Sequence, residues 1–236
     1  METNKKGFDL IIPVYNEGIN IVKLIKYLKN SSNNISKIYI CYDFDDDSSV
    51  DAIKNSKYTN NQNITLLKNF GKGPCEAIKT GISCSKSQVV VIYPADDFHN
   101  GLLLDKMYVF FLQGYDIICP CRFMKGSIMK NCPLFKYLIV RIVAFTLFYI
   151  ARIKTKDPTN GFRMFSRKLL NNVPIKSKEG FAYSIELLVK AKKLKFKIIE
   201  LPSVWIERKD RKSSFKIFKW SRIYLKWYFL DFFYLI

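Results

Sequence analysis

The chain has 236 residues, 49% of them hydrophobic and 25% charged, which is enough for one domain with a proper core and too apolar for a disordered chain. Six cysteines with no C-x-x-C pair and one histidine, His99, argue against a zinc site and against a Cys–His nucleophile. The net charge of +19 is confined to one half: residues 1–118 balance thirteen Lys against thirteen acids, while residues 119–236 hold twenty-six Lys or Arg against seven acids. Every Arg lies at or beyond Arg122, a segregation that points to an anionic partner such as a phosphorylated substrate, lipid headgroups or nucleic acid.

In chain order, the first half alternates strand and helix signals. METNKKGFDL carries no apolar leader and runs into the strand Phe8–Val14, so the cytosol or the cytosolic face of a membrane is expected, with the cysteines as buried hydrophobes in a reducing compartment. Ile19, Val22, Ile25 and Leu28 predict a helix within Asn16–Asn30. Ile38–Tyr42 predicts a second strand, Val50–Lys54 the start of a helix, and Ile64–Leu67 a third strand. A turn at Gly71 and Gly73 leads to the helix Pro74–Ser83, followed by the strands Val89–Tyr93 and Tyr115–Cys119. Such alternation predicts an α/β fold with a mostly parallel central sheet and helices on both faces. Ligands collect beyond the carboxyl ends of parallel strands, and Tyr15–Glu17, Asp43–Asp47, Asp96, Asp97 and Arg122 all directly follow strands.

The second half reads differently. Residues 135–153 are long and apolar, but Lys136, Arg141 and Arg152 interrupt them, leaving about half of the roughly 20 apolar residues a membrane span needs. An amphipathic helix in a membrane interface or a helix buried in the protein is expected. The tail, residues 215–236, mixes aromatics such as Trp220 and Trp227 with Lys and Arg, a composition suited to headgroup depth or to an oligomer or partner-subunit interface. The expected organisation is a catalytic domain over 1–214, including the helix near 135–153, and an interfacial tail over 215–236.

Several blocks occur in a telling order: IIPVYNE (Ile11–Glu17), YDFDDDSS (Tyr42–Ser49), GKGPCEAIKTG (Gly71–Gly81), PAD (Pro94–Asp96) and CRFMKG (Cys121–Gly126). DPTNGFRMFSR (Asp157–Arg167), GFAYSIELLVKA (Gly180–Ala191) and LPSVWIERKDRKSS (Leu201–Ser214) follow. Together they resemble glycosyltransferase family 2, the GT-A nucleotide-sugar-binding fold, in its dolichyl-phosphate mannosyltransferase-like branch. The resemblance implies transfer of a hexose from a UDP- or GDP-sugar to a polyprenyl phosphate at a membrane surface, with inversion. Transfer to a saccharide hydroxyl in cell-surface polysaccharide synthesis is the alternative. A non-catalytic, membrane-docked basic protein is a third reading; no nucleic-acid recognition motif is present.

By the same resemblance, Pro13, Tyr15 and Glu17 line the nucleotide pocket, Asp43 accepts a hydrogen bond from the base, and Asp47 lies nearby. Lys72 either approaches the donor or merely belongs to a glycine turn. Where the family has Asp-x-Asp, this chain has Pro94-Ala95-Asp96 followed by Asp97. Proline cannot ligate a cation, so Asp96, helped by Asp97 and the donor phosphates, is the expected seat of Mg²⁺ or Mn²⁺. Asp97 would be the general base if the acceptor were a hydroxyl. Arg122 would contact the acceptor phosphate, with Lys136 and Arg141 as rivals for a second contact on the following helix. Arg208 and Lys212 would close over phosphates, and Arg163 and Glu186 match family positions that are either substrate contacts or structural ties.

Overall fold

The computed structural model describes residues 7–150 and 152–207. Seven strands form the main sheet: β1 (Phe8–Pro13), β2 (Ile35–Tyr42), β3 (Ile64–Lys68), β4 (Val89–Ile92), β5 (Ile117–Cys121), β7 (Arg163–Ser166) and β8 (Ile198–Pro202). Their order is β3-β2-β1-β4-β7-β5-β8. All run parallel except β7, which is inserted antiparallel between β4 and β5. A separate parallel pair joins β6 (Ile128–Lys130) to β9 (Val204–Ile206).

Strand alternation builds two cores. Along β1, Phe8, Leu10 and Ile12 join one cluster while Ile11 joins the other; along β4, Val89 and Val91 part from Val90 and Ile92 in the same way. The first cluster is covered by α1 (Ile19–Ser31), α2 (Ser48–Lys54) and α4 (Leu103–Leu112). The second is covered by α3 (Pro74–Cys84), α5 (Leu134–Tyr149), α6 (Arg167–Asn172) and α7 (Ala182–Lys193). The expected helices on both faces are present. α3 comes so close to the sheet that a Cβ on Gly81 would meet the Ile11 side chain at 2.5 Å.

Three features differ from the sequence reading or extend it, and one expectation falls outside the described residues. α4 was not expected, because the apolar run Met107–Leu112 suits a strand as well as a helix. β7 is four residues long and opens on an arginine, so nothing local marks it. The predicted helix over 135–153 ends at Tyr149, and Arg152 already has a positive φ of 51°. The tail over 215–236 lies outside the described residues, among which no helix is long and apolar enough to cross a membrane.

The cysteines behave as buried hydrophobes where they are buried. Burial is the main cause that pushes the thiols of Cys75 and Cys119 up to about 11 and that of Cys41 up to about 12. None of these three has the lowered pKa of a nucleophile.

Candidate functional site

The carboxyl ends of β1, β2, β4 and β5 carry the polar residues singled out in the sequence. After β1 the chain turns through Asn16, at a positive φ of 53°, into α1. This turn is tied to the start of α2 by reciprocal bonds. The Asp47 carboxylate accepts from the Asn16 and Ser49 amides at 3.0 and 2.8 Å, and the Asn16 side-chain oxygen accepts from the Ser48 amide at 3.2 Å. Asp47 is completely buried as the N-cap of α2. Its expected place in the nucleotide pocket is therefore corrected: it shapes that loop from beneath. Pro13 ends β1, the Glu17 amide donates to the Ser49 hydroxyl at 2.9 Å, and Tyr15 is 57% exposed with its ring edge-on to Phe44.

Asp43 follows β2 and remains partly exposed. One carboxylate oxygen accepts from the Asn69 side chain, the other from the Gly73 amide at 2.9 Å, so Asp43 holds the turn into α3. Each oxygen keeps a second lone pair for an incoming N–H. Gly73, with a φ of 88°, precedes Pro74 in the first turn of α3, and Lys72 beside it is exposed.

Beyond β4, Asp96 is exposed, whereas Asp97 is engaged on both oxygens. Its Oδ1 accepts from the His99 and Asn100 amides at 2.8 and 3.0 Å, and its Oδ2 from the Asn100 side chain at 2.6 Å. Burial pushes the Asp97 carboxyl above its ordinary value, against the opposing effect of these hydrogen bonds. Asp96 and Asp97 line a small cavity of about 90 Å³ together with Arg122, Asn160 and Trp205.

Arg122 directly follows β5, and its fork is already occupied. Its Nε and Nη2 donate to the two oxygens of Asp157 at 2.7 Å each, its amide donates to the same carboxylate at 2.9 Å, and Nη2 also reaches Thr159 at 3.0 Å. Asp157 is fully buried. Burial is the largest single influence on the Arg122 pKa and lowers it, but the Asp157 charge and its hydrogen bonds together outweigh it, and the net shift is upward. The guanidinium lies over the rings of Trp205 (5.0 Å) and Phe123 (5.3 Å), and Arg141 on α5 lies over Phe123 at 4.9 Å. A second cavity, of about 510 Å³, opens beside Phe123 and Arg141, with Leu138, Ile142, Phe145 and Phe148 of α5 as its walls and Lys156 at its margin.

Three further expectations are narrowed. The expected phosphate contact of Arg122 is left to the part of the guanidinium that Asp157 and Thr159 do not take. Arg163 is completely buried in β7, where Nη1 and Nη2 donate to the carbonyls of Ser184 and Asp157 at 3.1 and 2.7 Å; it is a structural tie, not a phosphate ligand. Glu186 is likewise buried, accepting from the Lys176 and Ser177 amides at 2.6 and 2.7 Å and pairing with Lys190. Lys136 lies in the first turn of α5. Arg208 and Lys212 lie outside the described residues.

Asp157, Asn100, Phe123 and Trp205 went unassigned in the sequence. Asp157 stood in a matched block, but its partner is 35 residues away. Among the described residues no three His, Cys, Asp or Glu side chains converge as a metal cluster. The donor set is thus one free carboxylate, Asp96, with Asp97 turned to its own loop. A hard cation that takes most of its ligands from a diphosphate and water fits such a set.

The family model for glycosyl transferase family 2 matches residues 9–173. The chain belongs to this family. It is 26% identical over 227 residues to a dolichol-phosphate mannosyltransferase of Pyrococcus furiosus, covering 92% of this chain and 63% of that protein. It is 29% identical over 223 residues to a dolichyl-phosphate beta-glucosyltransferase of Dictyostelium discoideum, covering 84% of this chain and 66% of that one. The chain thus spans just under two thirds of each of these relatives. A crystal structure of glucosyl-3-phosphoglycerate synthase from Mycobacterium tuberculosis with Mn²⁺, UDP and glucosyl-3-phosphoglycerate superposes with a TM-score of 0.68. It covers 96% of this chain and 79% of the synthase at 15% identity, a likeness of fold. The family 2 assignment accounts for the mostly parallel sheet and for the gathering of polar residues at its carboxyl edge.

Proposed function

We propose that this family 2 chain transfers a hexose from a nucleotide-diphosphate sugar to a polyprenyl phosphate at a membrane surface, inverting the anomeric carbon. The carrying observation is the adjacency of two cavities: a small polar one bearing Asp96 and Arg122, and a larger apolar one on α5 with Arg141 and Lys156 at its margin. The polar lining of the first suits the diphosphate end of a donor, and the second suits an isoprenoid whose phosphate sits near the cations. The names of the two relatives support the same acceptor class.

In this reading Tyr15, Asp43 and the Gly73 turn receive the nucleoside, with Lys72 at the margin. Asp96 faces the diphosphate; a Mg²⁺ or Mn²⁺ bound there with the donor would neutralise the leaving group. Arg122, oriented by Asp157 and in contact with the rings of Trp205 and Phe123, presents its remaining edge to the acceptor phosphate. Of the two rivals for the second contact, Arg141 is favoured, since it shares the Phe123 ring with Arg122. A phosphate oxygen attacks the anomeric carbon as the bond to the diphosphate breaks, and the bonding pair leaves with the diphosphate. The acceptor is already ionised, so no proton need be removed. That agrees with Asp97, whose oxygens are held by its own loop rather than offered as a base.

The test is transfer by the full chain in vesicles containing a polyprenyl phosphate, with a panel of labelled UDP- and GDP-sugars. A labelled lipid that appears only with the phosphorylated carrier is expected, with Arg141→Ala lowering kcat/KM for the acceptor by roughly tenfold or more. Failure of every donor to label the lipid would overturn the reading, and labelling of a non-phosphorylated saccharide lipid instead would favour the hydroxyl acceptor.

A further inference from the structure

Asn100 is 3% exposed and stands where the loop after β4 meets β9. Its side-chain amide treats Val204 as a neighbouring strand would: Oδ1 accepts from the Val204 amide at 2.9 Å, and Nδ2 donates to the Val204 carbonyl at 2.7 Å. The same Nδ2 donates to Asp97 Oδ2 at 2.6 Å, and the Asn100 backbone amide to Asp97 Oδ1 at 3.0 Å. One side chain therefore joins the loop carrying Asp96 and Asp97 to the strand carrying Trp205. Trp205 in turn lies over the Arg122 guanidinium at 5.0 Å.

We propose that Asn100 is a positioning residue that sets the separation between the donor-side carboxylate Asp96 and the acceptor-side guanidinium Arg122. The task needs a side chain that donates twice and accepts once within one short amide. Asp has the shape but no donor, and Ser has the donor but not the reach. Asn100 borders the small cavity, but its side-chain amide is taken up by Val204 and Asp97. Its loss lets the two halves of the pocket shift, and a shift of about 1 Å between reacting groups can cost on the order of 100-fold in rate.

This inference rests on the transferase reading, and the experiment separates the two. In the full chain, Asn100→Asp and Asn100→Ser are compared with wild type by melting temperature, by calorimetric binding of UDP and GDP with Mn²⁺, and by kcat and acceptor KM. The expected result is kcat down by about tenfold or more, with the nucleotide Kd and the acceptor KM each within about threefold of wild type. Unchanged kcat in a folded variant overturns the proposal. So does a loss carried by Kd or KM, which would make Asn100 a ligand contact, and so does unfolding of both variants, which would make it a residue of the fold alone. A wild-type chain that labels no acceptor overturns the transferase reading itself, and this proposal with it.

Discussion

The pairing of Arg122 with Asp157 shows how strongly one site residue can depend on another. The carboxylate has no exposed surface and the guanidinium side chain retains 12%. Truncating Arg122 would strand a buried charge, a loss of about 3–5 kcal/mol that the intact pair does not contribute as a net gain. Arg122→Ala is therefore expected to destabilise by that order. Adding Asp157→Asn should recover much of it, a coupling that urea unfolding of the single and double variants would measure. Strictly additive losses would contradict a paired site. Asp97 gives a different signature, because its carboxyl holds a proton to higher pH in the folded chain than in the unfolded one. Across the interval from the ordinary Asp value up to the raised one, the folded state binds more protons, so this group's contribution to stability falls as pH rises. The stability of Asp97→Asn relative to wild type should accordingly improve with rising pH through that interval, as denaturation at a series of pH values would report. A flat difference would mean that the hydrogen bonds from Asn100 and His99 cancel the effect of burial.

Among the elements, α5 turns two opposite faces to its surroundings. Ala144 and Leu147 are buried, Leu147 within the core under the sheet, while Leu138, Ile142, Phe145 and Tyr149 are between 48% and 62% exposed. Leu147→Ala should cost about 2–5 kcal/mol by leaving a cavity. Ile142→Glu and Phe145→Glu should leave the melting temperature nearly unchanged, yet reduce flotation with vesicles if the outer face meets lipid. A drop in melting temperature as large as that of Leu147→Ala would instead mean that the outer face is packed in solution. The parallel strands β1 to β5 were legible in the sequence because each is a short apolar run closed by a polar residue, and topology sends those residues to one edge. α4 was not, since its apolar run Met107–Leu112 suits a strand as well as a helix. The candidate site divides along the same line. Asp43, Asp96 and Arg122 announce themselves by position after a strand. Asp157 with Arg122 and Asn100 with Val204 are links across 35 and 104 residues, and no local pattern encodes them.

At the scale of the whole molecule, the excess of +19 is a property of the second half alone. If it faces anionic lipid, vesicle binding should rise with the fraction of acidic lipid and weaken severalfold between about 0.05 and 0.5 M salt as the Debye length shrinks. Binding indifferent to salt in a sedimentation assay would assign the attachment to apolar contact instead. The one antiparallel strand of the main sheet sets a further condition, on the order of synthesis. β4 pairs with β1 on one side and with β7 on the other, and β5 reaches the rest of the sheet only through β7. While the ribosome has not yet delivered Arg163–Ser166, the nascent chain holds Val89–Ile92 as an open edge with no neighbour on that side. Such an edge invites pairing with other chains. The last-made third of the domain is thus what seals its middle, and a chain interrupted before residue 163 would lack the seal as well as the length.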